Sequence, residues 1–144
     1  MFGQTFANDL LKLIFTGVNI ANIADNAAAS PISSLVLALH TADPGATGNQ
    51  SSNELGYTGY ARVAVPRLPA NWTITNNVIR PAGRIEFGKM TAGTEQLATH
   101  VSIGIATTGA TKILCRAALS PSIQCRLGVI PAIETSATLT LLTS

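Results

Sequence analysis

The sequence has 144 residues, which is the length of one ordinary domain and enough to bury a core. Only 11% of its residues are charged, against about a quarter in a typical globular protein. With 47% hydrophobic residues, the chain has little charge to solvate a free monomer, so we expect its surface to lie against other proteins. The net charge of +2 is too small and too scattered to indicate a nucleic-acid partner.

The first predicted element is a helix from Thr5 to Val18. Apolar residues recur there at helical spacing, Thr5 is a candidate N-cap, and Gly17 is placed to end the helix. Residues 19–34, which are rich in Ala and Asn and include Pro31, are interpreted as an extended connector. The apolar run from Leu10 to Ile20 lacks a basic segment before it and is too short to cross a bilayer, so we expect no signal peptide and no membrane partner.

From Ser33 onward the pattern predicts short strands separated by turn signals. Asn76-Asn77 is expected to form a tight hairpin turn, and Ser120-Pro121 is expected to break a strand. The predicted strands are 33–40, 61–65, 72–75, 78–80, 84–87, 100–106, 112–119, 123–127, 129–133 and 138–142. Such spacing indicates a mostly β protein with a single jelly-roll-like β-sandwich, one N-terminal helix and an extended connector. We therefore predict a helix and connector arm over residues 1–32 and a sandwich domain over residues 33–144.

The predicted core consists of inward-facing apolar residues of these strands. They are Leu35, Leu37, Leu39, Val63, Val65, Ile103, Ile105, Ile113, Leu139 and Leu141. Trp72, the sole tryptophan, is interpreted as a core residue in preference to an interface anchor.

The loop from Thr41 to Thr58 is longer than a compact sandwich needs, and we expect it to be a binding loop. At its start, Asp43-Pro44-Gly45 has the composition of a turn. At its end, Tyr57 and Tyr60 are flanked by glycines and are equally compatible with core packing and with contact to a partner.

Residue patterns that carry chemistry are absent from the sequence. His40, Asp43 and His100 are too few for a metal site, and there is no nucleophile elbow or phosphate-binding loop. We therefore expect no enzymatic activity, no metal and no cofactor. The basic residues between Arg62 and Lys89 are expected to pair locally with Glu54, Glu86 and Glu95. Cys115 and Cys125 are expected to be free thiols, although a cross-strand disulfide is geometrically open.

Two short motifs carry a resemblance to a known class of proteins. Residues 38–45 read ALHTADPG and residues 59–63 read GYARV, with a loop rich in Thr, Gly, Asn and Ser between them. This order resembles small virion proteins of tailed bacteriophages, which are variously described as capsid cement or decoration proteins and as tail-fibre-like proteins. The resemblance implies a virion structural protein made in the bacterial host cytoplasm. The cement role on the capsid surface is preferred, with a tail-associated or receptor-facing adaptor as the alternative.

In that role the expected partners are the major capsid protein and further copies of the chain, as a dimer or a trimer. The contacts are expected on the N-terminal segment and the long loop. The predicted interface residues are Phe6, Leu10, Ile14, Ile20, Ile23, Asp43, Asn49, Tyr57 and Tyr60.

Overall fold

The computed structural model describes residues 4–19 and 32–140, with side chains from residue 7 onward. The described elements are helix α1 (Gln4–Thr16) and strands β1 (Ser34–His40), β2 (Val63–Pro66), β3 (Trp72–Thr75), β4 (Val78–Pro81), β5 (Ile85–Glu86), β6 (Gln96–Gly104), β7 (Ile113–Cys125), β8 (Ala132–Ile133) and β9 (Leu139–Thr140). The predicted mostly β class with one N-terminal helix is confirmed. The antiparallel sheets are consistent with a β-sandwich.

Contacts group the chain into two compact units. One draws its residues from 1–33, 66–84 and 134–144, and the other comprises residues 34–65 and 85–133. We call them the first unit and the second unit. The division at residue 32 into an arm and a sandwich domain stays a prediction, and the connector residues 20–31 lie outside the described part of the chain.

The first unit is built from α1 and a three-stranded sheet in the order β3-β4-β9. Asn76 and Asn77 join β3 to β4 with φ values of 48° and 59°, which confirms the predicted hairpin turn because both central residues of a type I′ turn need positive φ. The helix ends two residues short of the predicted Val18, at Thr16, and Gly17 follows with φ 70°. Glycine adopts this left-handed conformation without a steric penalty, so it is the expected terminator.

The second unit is built around a four-stranded sheet in the order β2-β1-β6-β7. Strand β1 pairs antiparallel with β6, with Leu37 opposite Ile103 and His40 opposite His100. All six residues from Leu35 to His40 are buried, as expected for a continuous apolar run covered on both faces. A separate two-stranded ladder pairs β5 with β8.

The predicted division into two strands at Ser120-Pro121 is wrong, because β7 runs through it as a single strand of 13 residues, but the ladder with β6 is irregular there: Ala118 pairs with His100, and the next pair is Ile123 with Ala98. Strand β7 is the outermost strand of its sheet, and a proline is tolerated there because its missing N–H need not serve a second ladder. The predicted strands 112–119 and 123–127 are therefore one element.

The predicted core is buried at its centre and half-buried toward its periphery. Leu35, Leu37, Leu39, Val65 and Ile103 are buried. Val63, Ile105, Ile113 and Leu139 are half-buried, and Leu141 lies outside the described residues. Trp72 is 5% exposed and donates from Nε1 to the Pro66 carbonyl at 2.9 Å, which confirms its interpretation as a core residue.

Candidate functional site

The helical part of the predicted interface lies in the first unit. Helix α1 buries Ala7, Leu11 and Phe15, which are four residues apart and form one stripe. The ring of Phe15 meets that of Trp72 edge to face, with centroids 4.9 Å apart. The helix therefore packs its buried apolar stripe against residues of its own unit.

The predicted contact residues of the helix lie beside that stripe. Leu10 and Ile14 are half-buried, whereas the side chain of Phe6 and all of Ile20 and Ile23 lie outside the described part of the structure. The end of the helix is held by Arg67, whose guanidinium donates to the carbonyls of Leu13 at 2.6 Å and Ile14 at 2.5 Å. These carbonyls have no partner within the helix, so the arginine satisfies them.

The long loop belongs to the second unit and begins with a turn. The Gly45 N–H donates to Asp43 Oδ1 at 2.9 Å and Gly45 has φ 82°, which confirms the predicted turn. Asp43 is exposed and pairs with Arg116 of β7 at 2.7 Å. The Gly45 N–H and the Arg116 guanidinium lower the pKa of this carboxyl. Asn49 is half-buried, and its Oδ1 accepts from the Ser51 N–H within the loop.

Beneath the loop lies a buried polar cluster that the sequence analysis did not identify. Gln50, His40 and Ser102 are each 0% exposed. His40 Nδ1 lies 2.8 Å from the Ser52 carbonyl, which can only accept, so Nδ1 carries the proton and Nε2 accepts from Ser102 Oγ at 2.7 Å. Gln50 Nε2 donates to the Val36 carbonyl at 2.9 Å. Burial lowers the pKa of His40, which keeps the ring neutral. The hydrogen bond to the Ser52 carbonyl opposes that shift without reversing it.

The Ser102 and His40 pair has the distance of a nucleophile and its base, yet both residues are fully buried within the fold. The Ser102 hydroxyl also lies 3.4 Å from Gln50 Nε2, so it is enclosed by polar neighbours of the chain itself. The arrangement fastens the loop to β1 and β6.

A second polar group fixes the other end of the loop. Arg62 donates from Nε and Nη2 to the two carboxylate oxygens of Glu54, both at 2.7 Å, as the predicted local pairing requires. The Arg62 side chain is 3% exposed and that of Glu54 is 17% exposed. Arg62 also donates to the Ala106 carbonyl at 3.2 Å and to Ser51 Oγ at 3.1 Å. One guanidinium thus joins the loop to the segment that follows β6.

The two tyrosines of the loop are packed within the second unit. Tyr57 is 4% exposed, and its hydroxyl donates to the Gly88 carbonyl at 2.7 Å, while burial raises its pKa to about 12. Tyr60 is half-buried, donates to Glu54 Oε1 at 3.2 Å and accepts from the Leu39 N–H at 2.9 Å. Of the two alternatives left open for Tyr57, the structure shows core packing.

The backbones of two loops cross closely next to these tyrosines. A Cβ built on Gly88 would lie 1.7 Å from the Gly59 carbonyl oxygen, so only a glycine fits there. Beside this crossing, Thr58 N–H donates to the Ala92 carbonyl at 3.0 Å and Thr91 N–H donates to the Thr58 carbonyl at 2.9 Å. The end of the long loop is therefore held by backbone as well as by side chains.

Large apolar side chains are exposed on one turn of the second unit. Leu127 is 66% exposed at a turn whose Gly128 has φ 81°, and Val129 and Ile130 follow at 38% and 41%. Three large exposed apolar side chains within four residues are typical of contact surfaces. The sequence analysis assigned these residues to strands, because their hydrophobicity alone does not distinguish a strand from an apolar turn.

Within residues 4–19 and 32–140, no three His, Cys, Asp or Glu side chains converge as metal ligands would. The described helix is too short and too polar to cross a bilayer. Cys115 and Cys125 are free, as expected.

Comparison with known proteins supports membership of a family of phage virion structural proteins. No curated protein matches the chain. A family model described as podophage GP4 fiber I protein gp80 matches residues 2–138, which include the long loop, both tyrosines and the buried polar clusters. With most of its length matched, the chain belongs to the family of the podophage GP4 fiber I protein gp80, and it is a bacteriophage virion structural protein.

Proposed function

We propose that the chain is a fibre-related component of the phage tail region, where it contributes a rigid subunit to an assembly. The observation that carries this proposal is the family match over residues 2–138, because the matched family is named for a fibre protein. The structure is compatible with a scaffold role. Its long loop is fixed by the Arg62 and Glu54 pair and by the buried His40 cluster, so the subunit presents a defined surface.

In this proposal the role is non-enzymatic, with other virion proteins and further copies of the chain as partners. The exposed apolar turn at Leu127, Val129 and Ile130 is a candidate contact surface because such side chains gain free energy when a partner covers them. Neither a nucleic acid nor a membrane is part of the proposed assembly.

A capsid cement protein is the second candidate. The ALHTADPG and GYARV motifs, at residues 38–45 and 59–63, resemble proteins described in both ways. A cement protein binds the assembled shell and not its free subunits, so it would stabilise the shell by its binding free energy. The major capsid protein would then be the direct partner.

Copy number and position in the particle separate the two roles. Purified virions should be analysed by quantitative mass spectrometry against the major capsid protein, and labelled antibodies to this chain should be located by electron microscopy. A fibre-related role predicts a small fraction of the capsid protein's copy number and label near the tail. A copy number comparable with that of the capsid protein, with label over the head, would replace it with the cement role. Absence from purified particles would contradict both.

A further inference from the structure

The buried histidine of the second unit is enclosed between the sheet and one stretch of the long loop. His40 lies on β1 and is 0% exposed. Residues 45–53, which we call the cover segment, lie over its ring, and Nδ1–H donates to the Ser52 carbonyl of that segment. Nε2 accepts from Ser102 Oγ of β6. The ring therefore contacts the loop and the sheet through its two different nitrogens.

The bond to Ser102 is compatible with only one protonation state of the ring. A neutral Nε2 accepts the hydroxyl proton, whereas a protonated Nε2 is itself a donor. Gln50 Nε2 approaches Ser102 Oγ as a second donor, at 3.4 Å. Among the residues that the structure describes, His40 Nε2 is the one acceptor within hydrogen-bond distance of the Ser102 hydroxyl. Uptake of a proton from water at Nε2 therefore leaves a buried hydroxyl without an acceptor and places a charge away from water, and both raise the free energy of the closed structure.

Three charged or titratable groups face the ring from the elements packed around it. They are Glu54 of the loop, Arg62 of the segment before β2, and His100, which lies opposite His40 on β6. Burial is the largest cause that lowers the pKa of His40, and Arg62 and His100 lower it further. Glu54 raises it, but both oxygens of this carboxylate already accept from Arg62 at 2.7 Å. The surroundings as a whole favour the neutral ring.

The cover segment is the easier side of this enclosure to move. Gln50 is its only buried residue, and its side chain is polar. The segment is held by polar bonds that water can replace, such as Gln50 Nε2 to the Val36 carbonyl and the Gln50 N–H to the Thr111 carbonyl, both at 2.9 Å. The sheet side is held by the ladder of β1 with β6 and by the buried apolar side chains of β1. Segments with few buried apolar contacts open at a low cost in free energy.

We propose that protonation of His40 releases the cover segment, so that the long loop opens in mild acid while the rest of the second unit stays folded. Opening brings water to the ring, which then holds its second proton at little cost, and water becomes the acceptor of the Ser102 hydroxyl. Closure at neutral pH follows from loss of that proton. This acid-sensitive conformation goes beyond the proposed virion role and does not depend on the place of the chain in the particle.

Native-state amide exchange tests the opening, because it reports single hydrogen bonds as protection factors corrected for the intrinsic effect of pH. The Gln50 N–H, bonded to the Thr111 carbonyl, and the Thr41 N–H, bonded to the Asn53 carbonyl, report on the cover segment. Between about pH 7.5 and about pH 5 their protection should fall by about 10- to 30-fold. The upper limit arises because a water-exposed histidine with a pKa of about 6.5 favours the open form by at most about 30-fold at pH 5.

Urea distinguishes opening of the segment from unfolding of the whole unit. Opening exposes little surface, so protection of the Gln50 N–H should be nearly independent of low urea concentrations at both pH values. The Phe87 N–H, which donates to the Pro131 carbonyl at 2.8 Å elsewhere in the second unit, should show the steep urea dependence of global unfolding. Equal urea dependence at Gln50 and Phe87 would overturn the local opening.

Three variants separate the roles of the ring, the hydroxyl and the neighbouring histidine. His40→Asn should abolish the pH-dependent loss of protection at Gln50, because asparagine does not titrate. Ser102→Ala should reduce that loss by about 3-fold or more, because no hydroxyl is left without an acceptor and the neutral ring loses the bond that favours it. His100→Gln is the matched control and should keep most of the loss, since it removes only the histidine opposite. The proposal is overturned by equal wild-type protection at both pH values, by a loss that persists in full in Ser102→Ala, or by one that disappears in His100→Gln.

Discussion

The Arg62 guanidinium lies in the second unit with 3% of its side chain exposed and five hydrogen-bond contacts to the loop and the sheet. A buried charge is tolerated at this position because Glu54 supplies the opposite charge in a bidentate geometry. Such a pair adds little to the free energy of unfolding compared with two apolar side chains of similar volume. Loss of one partner, however, leaves the other charge buried and unpaired. The pair therefore makes the loop conformation specific.

Glu54→Gln tests this asymmetry. We expect it to lower the free energy of unfolding by about 2–3 kcal/mol, because Arg62 keeps its charge and loses its carboxylate. Replacing both residues with leucine should recover part of that loss. Denaturant unfolding followed by circular dichroism measures the change.

The matched control is Glu134→Gln, which removes the partner of Arg84 from an exposed pair with side chains 45% and 60% exposed. That change should alter stability by less than about 0.5 kcal/mol. Equal effects of the two substitutions would contradict the distinction between the buried and the exposed pair.

At the scale of elements, the end of the long loop depends on the close crossing of Gly59 and Gly88. Tyr57 reaches across this crossing to the Gly88 carbonyl, so the tyrosine and the glycine act on the same contact. The crossing leaves no space for a side chain on either backbone, since a Cβ on Gly59 would lie 2.1 Å from the Lys89 carbonyl oxygen.

Gly88→Ala should therefore separate the two loops. We expect a loss of about 1–3 kcal/mol of stability, because the obstacle is backbone and not the end of a flexible side chain. Amide exchange of Thr58 and Thr91, whose N–H groups bond across the crossing, should speed up. Gly83→Ala is the control, since nothing lies within 4 Å of its built Cβ. Unchanged exchange at Thr58 in Gly88→Ala would show that the loops do not depend on the crossing.

At the scale of the whole molecule, buried His40 makes stability depend on pH. Burial lowers its pKa below the value of 6.5 that it has when exposed, so the unfolded chain takes up a proton at a higher pH than the folded chain does. Stability due to the neutral ring is complete above about pH 6.5 and is lost as the pH falls below that value. Unfolding curves at pH 7.5 and pH 5 should show this loss.

His40→Asn should lower stability at both pH values and reduce the difference between them. The substituted side chain cannot titrate, so the part of the pH dependence that comes from residue 40 disappears. An undiminished difference in the variant would assign the pH dependence to other groups.

The features predicted from sequence are those set by neighbouring residues. The helix, the turn at Asn76-Asn77, the turn at Asp43 and the buried strand β1 all follow from local spacing and turn chemistry. The buried cluster of His40, Gln50 and Ser102 joins positions up to 62 residues apart, and no local pattern marks it. Continuity of β7 through Pro121 was missed for a related reason, because the tolerance of a proline depends on which strand lies at the sheet edge.

Of the features predicted near the candidate site, the pairing of Arg62 with Glu54 follows from charge and proximity in the chain and is confirmed. The role of the long loop in binding a partner stays a prediction. The inward direction of Tyr57 was left open, because a tyrosine beside glycines has the same local sequence whether its hydroxyl meets a partner or the Gly88 carbonyl.

The discontinuous composition of the first unit bears on how the chain emerges from the ribosome. Strand β9 pairs with β4, and the two are separated in sequence by the whole of residues 85–133. Helix α1 is synthesised long before Trp72, the residue that covers Phe15. The second unit is contiguous in sequence except for residues 66–84, which belong to the first unit. All of its strands are therefore available while the last strand of the first unit is still untranslated. Vectorial synthesis therefore favours completion of the second unit first, and the three-stranded sheet closes only after release of residue 140.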